Sequence, residues 1–354
     1  MRVAVVGAGA MGSLFAGLLA LAGDMPGAGG DDADRVEVWL VGAASSVPHL
    51  EAIAARGLTL ELAPAVAGRL PTATTAMLRE PVRGVRVTDD PADAYPCDLA
   101  IVLVKSYRTA GAARQLAGLL APNGVALSLQ NGLGHAETLA EYAGGAYVIQ
   151  GTTTLGAESR GPGRVAWNGL GATLLPVAPA LTDARRLLDL LRLSLERAGA
   201  PAALTPHGEG AVWGKLVVNC AINPVAALLD APNGALLAHE ETRRLMAEVV
   251  REVVRVARAA GIALPFPNAD DPDDPNGADG AALAHVLRVA ADTAANYCSM
   301  AQDLRRGRPT EIEALNGAVV RLAEERGLSA SVNRVLADLI RARQGIAGTH
   351  LATP

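Results

Sequence analysis

The first twelve residues, "MRVAVVGAGAMG", constrain the fold more than any other stretch. Residues 2–6 have the short apolar pattern of a buried strand. Gly7, Gly9 and Gly12 follow, and "MGSLFAGLLALAG" then reads as an apolar helix. A G-x-G-x-x-G triplet alone says little, and a turn with no ligand is the plain alternative. Placed between a strand and a helix it has a physical meaning. Gly7 permits a tight turn, Gly9 lets the backbone approach a diphosphate, and Gly12 lets helix and strand pack closely. The diphosphate would rest on the helix N-terminus, where unpaired N–H groups and the helix dipole favour an anion. Gly7, Ala8, Gly9, Ala10, Met11 and Gly12 form the candidate dinucleotide cradle.

The rhythm of the chain extends this start. Strand patterns recur at 36–41 (VEVWLV), 99–105 (LAIVLVK), 124–132 (GVALSLQNG) and 146–158 (AYVIQGTTTLGAE), with a helical pattern near 107–120. Strands alternating with helices predict a doubly wound parallel sheet. "GRVAWNG" and "GATLLPV" predict a terminal hairpin, and a helix at 182–198 closes this half. From about 207 helical patterns dominate, at 208–230, 240–260, 281–305, 310–326 and 331–343. The expected fold class is an α/β N-terminal Rossmann-like doubly wound parallel sheet followed by an all-α C-terminal domain. The expected domains are 1–206 for the dinucleotide and 207–346 for substrate and catalysis, with a 347–354 tail and a cleft between the halves. Segments 24–34 and 265–280 read as surface insertions.

Composition narrows the classes. The 354 residues are 50% hydrophobic and only 19% charged, so a large core can be buried. The net charge of −5 and the absence of a basic block argue against nucleic acid. No uninterrupted apolar run reaches membrane-spanning length, and the N-terminus lacks a signal-peptide pattern. Cys97, Cys220 and Cys298 are scattered and odd in number, so neither disulfides nor a metal centre is expected. A cytoplasmic protein is expected. Monomer and homodimer, the latter through the helical half, are both compatible with so apolar a chain.

The acidic residue that grips an NAD ribose should end the second strand. Asp31, Asp32 and Asp34 precede that strand, and "VGAASS" (41–46) after it holds no carboxylate. This leans toward NADP, whose 2′-phosphate a carboxylate would repel. Ser45 and Ser46 could bond a phosphate, or they could simply cap the next helix.

In the second half, "WGKLVVNCAINP" interrupts an apolar helix with Lys215, Asn219 and Asn223 at intervals of four. On a helix these share one stripe. Lys215 can be a snorkelling surface residue. Alternatively, it is a proton donor whose pKa partial burial lowers toward the working pH. The two amides can bind a polar substrate, or they can satisfy the Cys220 carbonyl that Pro224 leaves without a donor. Asn233 lies in an Asn-Gly turn dipeptide. Asp292, Asn296, Ser299 and Asp303 fall on one helical face, which can equally be solvated. In "TEIE", Thr310 and Glu313 suit a capping box, leaving Glu311 in the first turn, either facing the dipole or bonding a ligand.

These pieces together resemble the ketopantoate reductase (2-dehydropantoate 2-reductase) family over nearly the whole chain. The resemblance rests on "VGAGAMG", "VLVKSYRT", "QNGLG", "QGTTTLGAE", "WGKLVVNCAINPVAALLDAPNG" and "CSMAQDLRRGRPTEIEALNG", in that order. It implies NADPH-dependent reduction of ketopantoate to pantoate, a step toward pantothenate and coenzyme A, with a small 2-oxo acid as the partner. By the resemblance Lys215 is the general acid and Glu311 contacts both substrate and cofactor. Lys105, Asn131 and Ala157 join the cofactor site. Asn131, Lys215, Asn219, Asn223, Asn233, Asn296 and Ser299 line the substrate. No metal is implied. The family usually carries an Arg just after the second strand. Here Val41–Gly42 stand there, which leaves NADH open as the donor. The 24–34, 64–84 and 265–280 stretches also depart from a compact member. Two other readings remain: a reductase of another branched 2-oxo acid, and a dinucleotide-binding sensor without turnover.

Overall fold

The computed structural model describes residues 1–25, 36–177, 182–266 and 277–350. Asp31, Asp32, Asp34 and most of both expected surface insertions lie outside the described residues, as do residues 351–354 of the expected tail. The chain forms two compact units, Met1–Gln130 with His135–Gly208, and Asn131–Gly134 with Glu209–Pro354.

The first unit runs β1 (Arg2–Val6), α1 (Ala10–Asp24), β2 (Glu37–Val41), α2 (Val47–Arg56), β3 (Thr59–Leu62), α3 (Pro64–Ala67), α4 (Thr72–Met77), β4 (Val85–Thr88) and β5 (Cys97–Val102). It continues with α5 (Thr109–Leu116), β6 (Leu120–Ser128), α6 (His135–Ala140), β7 (Tyr147–Gln150), β8 (Thr152–Thr153) and β9 (Gly156–Gly161). β10 (Arg164–Gly169), β11 (Thr173–Pro176), α7 (Thr182–Arg197) and β12 (Ala202–Thr205) complete it. Its main sheet has six parallel strands in the order β4-β2-β1-β5-β6-β7. β1 is central, with Val3 opposite both Val38 and Leu99. The chain reverses direction across the sheet between β1 and β5, the switch point at which open α/β sheets bind ligands. α1 is apolar on every side because it is buried from Gly12 to Ala22. It packs on the sheet with one side and on α7, β9 and β10 with others.

The expected hairpin does not form. β10 pairs with β9 and β3, whereas β11 pairs with β8 and β12, in two separate three-stranded sheets. The single strand expected over 146–158 is accordingly three strands. α5 stops at Leu116 because the Leu119 carbonyl and Leu120 already pair with the start of β5.

The second unit is helical: α8 (Gly208–Leu229), α9 (Glu240–Ala259), α10 (Gly277–Asp292), α11 (Ser299–Arg305), α12 (Asn316–Glu325) and α13 (Ser331–His350). It has its own core, in which Val217, Ala221, Met246, Val250, Val286, Val319 and Ile340 are fully buried. By length and composition α8 could span a membrane. Its most apolar window is 67% buried, as in the core helix of a folded domain. The expected 281–305 helix is two helices separated at 293–298, so Asp292, Asn296, Ser299 and Asp303 share no helical face. The break turns the Ala294 and Asn296 carbonyls toward the Gly234 and Asn233 N–H groups. The expected capping box is also absent. α12 begins at Asn316, and the Glu313 carboxylate pairs with the Arg341 guanidinium at 2.7 and 2.8 Å. α13 continues to His350, beyond the expected end at 343.

Candidate active site

In the first unit the glycine loop is built as its spacing implied. Gly7 has φ +117°, and its N–H is held by the Val41 carbonyl at the end of β2. A Cβ on Gly12 would lie 1.9 Å from the Gly7 carbonyl oxygen, so only glycine lets α1 start so close. A Cβ on Gly9 would meet no protein atom within 4 Å. That open space sits at the N-cap of α1, whose first turn has no capping side chain and no carboxylate. A diphosphate suits this cradle, with Gly7, Ala8, Gly9, Ala10, Met11 and Gly12 around it. Lys105 lies just past β5, next to β1 in the sheet, and its carbonyl accepts the Arg108 N–H. Ala157 lies on β9 opposite Trp167. Ser46 precedes α2 but makes no side-chain cap, so the capping alternative for that serine is not realised.

In the second unit Lys215, Asn219 and Asn223 lie on one unbroken helix, α8, which continues through Pro224. Lys215 keeps some solvent contact, yet burial lowers its pKa to about 8, against the opposing pull of the Glu311 carboxylate. Among the described residues the side-chain amides of Asn219 and Asn223 bond to no protein group. They are free to serve a ligand.

Glu311 is buried, and Asn131 Nδ2 donates to its Oε2 in a long bond of 3.4 Å. Two features pin Asn131 there. The Leu133 N–H bonds the Ala314 carbonyl at 2.9 Å. Gly132, at φ +99°, presses so close that an added Cβ would lie 2.3 Å from the same oxygen. The "NG" of "QNGLG" is thus a docking device that seats residue 131 beside residue 311. Asn233 is buried, its N–H bonded to the Asn296 carbonyl and its Nδ2 to Thr293 Oγ1 at 2.9 Å each. Its Oδ1 is buried without a protein partner. The Cys298 thiol donates to the Asn223 carbonyl, which places the neighbouring Ser299 at the start of α11. Asn296 and Ser299 are exposed. The unit therefore carries an ammonium, a carboxylate and several amides drawn from five separate segments of sequence. Among the described residues no cluster could hold a metal ion.

Two family descriptions match this chain. "Ketopantoate reductase PanE/ApbA" matches residues 3–180, and "Ketopantoate reductase PanE/ApbA C terminal" matches residues 209–344. The chain belongs to the ketopantoate reductase family. It is accordingly an NAD(P)-dependent oxidoreductase. A relative from Halobacterium salinarum, named 2-dehydropantoate 2-reductase, is 37% identical over 344 residues, covering 97% of this chain and 99% of its own. One of the same name from Pyrococcus horikoshii is 32% identical over 348 residues, covering 98% and 99%. Among solved structures, a PanE/ApbA family ketopantoate reductase from Ralstonia eutropha JMP134 has a TM-score of 0.79 at 31% identity, covering 98% of this chain and 100% of that one. D-mandelate dehydrogenase, solved with NADH and anilino(oxo)acetate, has a TM-score of 0.80 at 23% identity over the same shares, a likeness of fold.

Sequence reasoning missed one part of this family member. Pro224 deprives the Cys220 carbonyl of its helical donor, and neither Asn219 nor Asn223 replaces it. Asn316 does, its Nδ2 lying 3.2 Å from that oxygen and 2.9 Å from Asn333 Oδ1. Asn333 is held in turn by Glu252, whose buried carboxylate accepts from Ser331 Oγ, the Val332 and Asn333 N–H groups and Asn333 Nδ2. Glu252 thereby satisfies the first turn of α13, where a negative charge is favoured. A proline inside a helix signalled that a donor was needed. Nothing local said which residue would supply it.

Proposed function

We propose that this chain reduces 2-dehydropantoate (ketopantoate) to pantoate, with NADPH as hydride donor and Lys215 as general acid. The observation that carries this reading is the face of α8, where a cation with its pKa near 8 shares a stripe with two uncommitted amides. The naming of the relatives as 2-dehydropantoate 2-reductases supports the substrate. The turn after β2, free of carboxylates, supports the phosphorylated dinucleotide.

Bound NADPH supplies the hydride that adds to the carbonyl carbon. Lys215 Nζ gives a proton to the carbonyl oxygen as negative charge develops there, and water returns one to the neutral amine. A pKa near 8 leaves the group charged at neutral pH yet willing to donate. Its charge also stabilises the developing oxyanion and draws in the substrate carboxylate. Glu311 opposes the loss of that charge. Asn219, Asn223, Asn233, Asn296 and Ser299 offer neutral donors and acceptors to the carboxylate and hydroxyl. The glycine loop, Lys105, Asn131, Ala157 and Glu311 hold the dinucleotide. In this reading residues 1–206 are the dinucleotide-binding domain and 207–346 the substrate and catalytic domain. The free, buried state of all three cysteines accords with a cytoplasmic enzyme.

The test is steady-state turnover of ketopantoate, followed by loss of reduced-nicotinamide absorbance, with NADPH and NADH in parallel. Turnover with NADPH alone supports the reading. Equal or faster turnover with NADH overturns the cofactor. Turnover confined to another branched 2-oxo acid overturns the substrate. Dinucleotide binding without turnover of any 2-oxo acid makes the chain a sensor.

A further inference from the structure

We infer that Arg108 reads the 2′-phosphate of NADPH, reaching from the loop after β5 to the place where a basic residue after β2 is missing. This rests on the NADPH reading above and names the group that would make the choice.

The place comes first. In a sheet of this kind the adenosine ribose lies at the end of the second strand, beside the glycine turn. Here β2 ends at Val41, and the Gly42 N–H bonds the Thr88 carbonyl at 2.9 Å. A Cβ on Gly42 would stand 2.8 Å from Leu50 Cδ1, 3.1 Å from Ser46 Cβ and 3.3 Å from Ala8 Cβ. A side chain at residue 42 would therefore crowd Leu50, Ser46 and Ala8. Gly42 thus has both Ser46 and Ala8 of the glycine loop as neighbours, and the Ala44–Ser46 turn follows directly on the end of β2 where the ribose of such a sheet lies.

The charge comes from elsewhere in the unit. Arg108 Nη1 donates to Ser45 Oγ at 3.3 Å. β5 lies on the opposite side of β1 from β2, so this bond joins the loops that follow both neighbours of β1. Both side chains are exposed, and Arg108 forms no ion pair among the described residues. Its guanidinium has five N–H donors, of which Ser45 takes one. The rest suit a phosphate dianion, which a planar fork can grip in bidentate fashion. Ser45 accepts from Arg108 and keeps its own O–H to donate. No carboxylate stands between Val41 and Val47 to oppose the phosphate. Asp90, past the end of β4, is engaged with the Ala92 N–H.

The experiment is calorimetric titration with two fragments, adenosine 2′,5′-bisphosphate and 5′-AMP, on the whole protein at low salt. Wild type, Arg108→Ala, Arg108→Lys and Ser45→Ala are compared. The wild type should prefer the bisphosphate, and the preference should shrink as salt is added. Arg108→Ala should cut that preference by about tenfold or more, Arg108→Lys by less, and Ser45→Ala least. The 5′-AMP affinity is the internal reference, and melting temperature checks the fold of each variant. If Arg108→Ala keeps the wild-type preference, Arg108 is not the reader and the NADPH reading stands. If the wild type itself shows no preference, both fall together.

Discussion

The glycine loop of the first unit and the polar face of α8 in the second prepare for ligands by opposite means. The loop works by omission. Gly9 leaves open space and Gly12 lets a helix begin against a carbonyl, an arrangement that suits binding by backbone N–H groups. The α8 face works by insertion, with an ammonium and two amides set into a helix whose other side is core. The loop is complete within six residues. In the proposed reading the α8 face is completed by residue 131, residue 311 and the 233–234 turn. A binding feature made of backbone is local, whereas one made of side chains is assembled.

The strongest test of that contrast is Lys215→Ala. It should lower kcat and kcat/KM together by roughly 10²–10⁴-fold, the usual worth of general acid catalysis. In the wild type kcat/KM should decline as pH rises through about 8, where the lysine loses its proton. A variant with near-normal turnover would remove the acid from α8.

Next come the two glycines. Gly12→Ala should destabilise the first unit by about 1–3 kcal/mol, because its Cβ meets backbone. Gly9→Ala should leave the melting temperature alone and weaken dinucleotide binding. Equal losses of stability in both would mean that Gly9 serves packing, and the loop's working by omission would be refuted.

Asn316→Ala should cost on the order of 1–3 kcal/mol in urea unfolding, since it leaves the Cys220 carbonyl and Asn333 Oδ1 without their donor. A neutral result would show that the carbonyl left without a donor by Pro224 needs no outside amide.

A smaller effect concerns pH and stability. The folded-state pKa of Lys215 lies below the free value of 10.5, so below pH 8 the charge is present in both states and its burial opposes folding in full. Between about 8 and 10.5 the unfolded chain binds more protons, so this group's contribution to stability rises with pH. Lys215→Met should lack that rise when the two proteins are unfolded side by side. Smallest of all, Arg341→Ala breaks an exposed pair with Glu313 and should cost less than about 1 kcal/mol. A larger loss would give that pair a structural weight its exposure does not suggest.

Much of the architecture was legible because it is periodic. Alternating strand and helix patterns gave the parallel sheet, and the spacing of four gave the α8 stripe. The failures have a common cause. "GRVAWNG" and "GATLLPV" looked like hairpin partners because they are adjacent, yet each found its pairing with strands elsewhere. The 292–303 stripe had helical spacing, but the turn at 233–234 took the carbonyls at 294 and 296 and the helix broke. Glu313 sat at capping-box distance from Thr310, but a guanidinium from α13 was the stronger partner.

What the sequence determined alone is whatever depends on neighbours within a few turns of chain: the glycine cradle, the strand rhythm, the line of Lys215, Asn219 and Asn223. Which partner each polar group takes was decided only by the tertiary structure. Asn316 serves the carbonyl orphaned by Pro224, Gly132 seats Asn131 beside Glu311, and Arg108 meets Ser45 across the end of β1. The physical reason is that periodicity and backbone freedom are properties of short segments. A hydrogen bond between distant residues exists only once the core has packed and brought them within 3 Å or so.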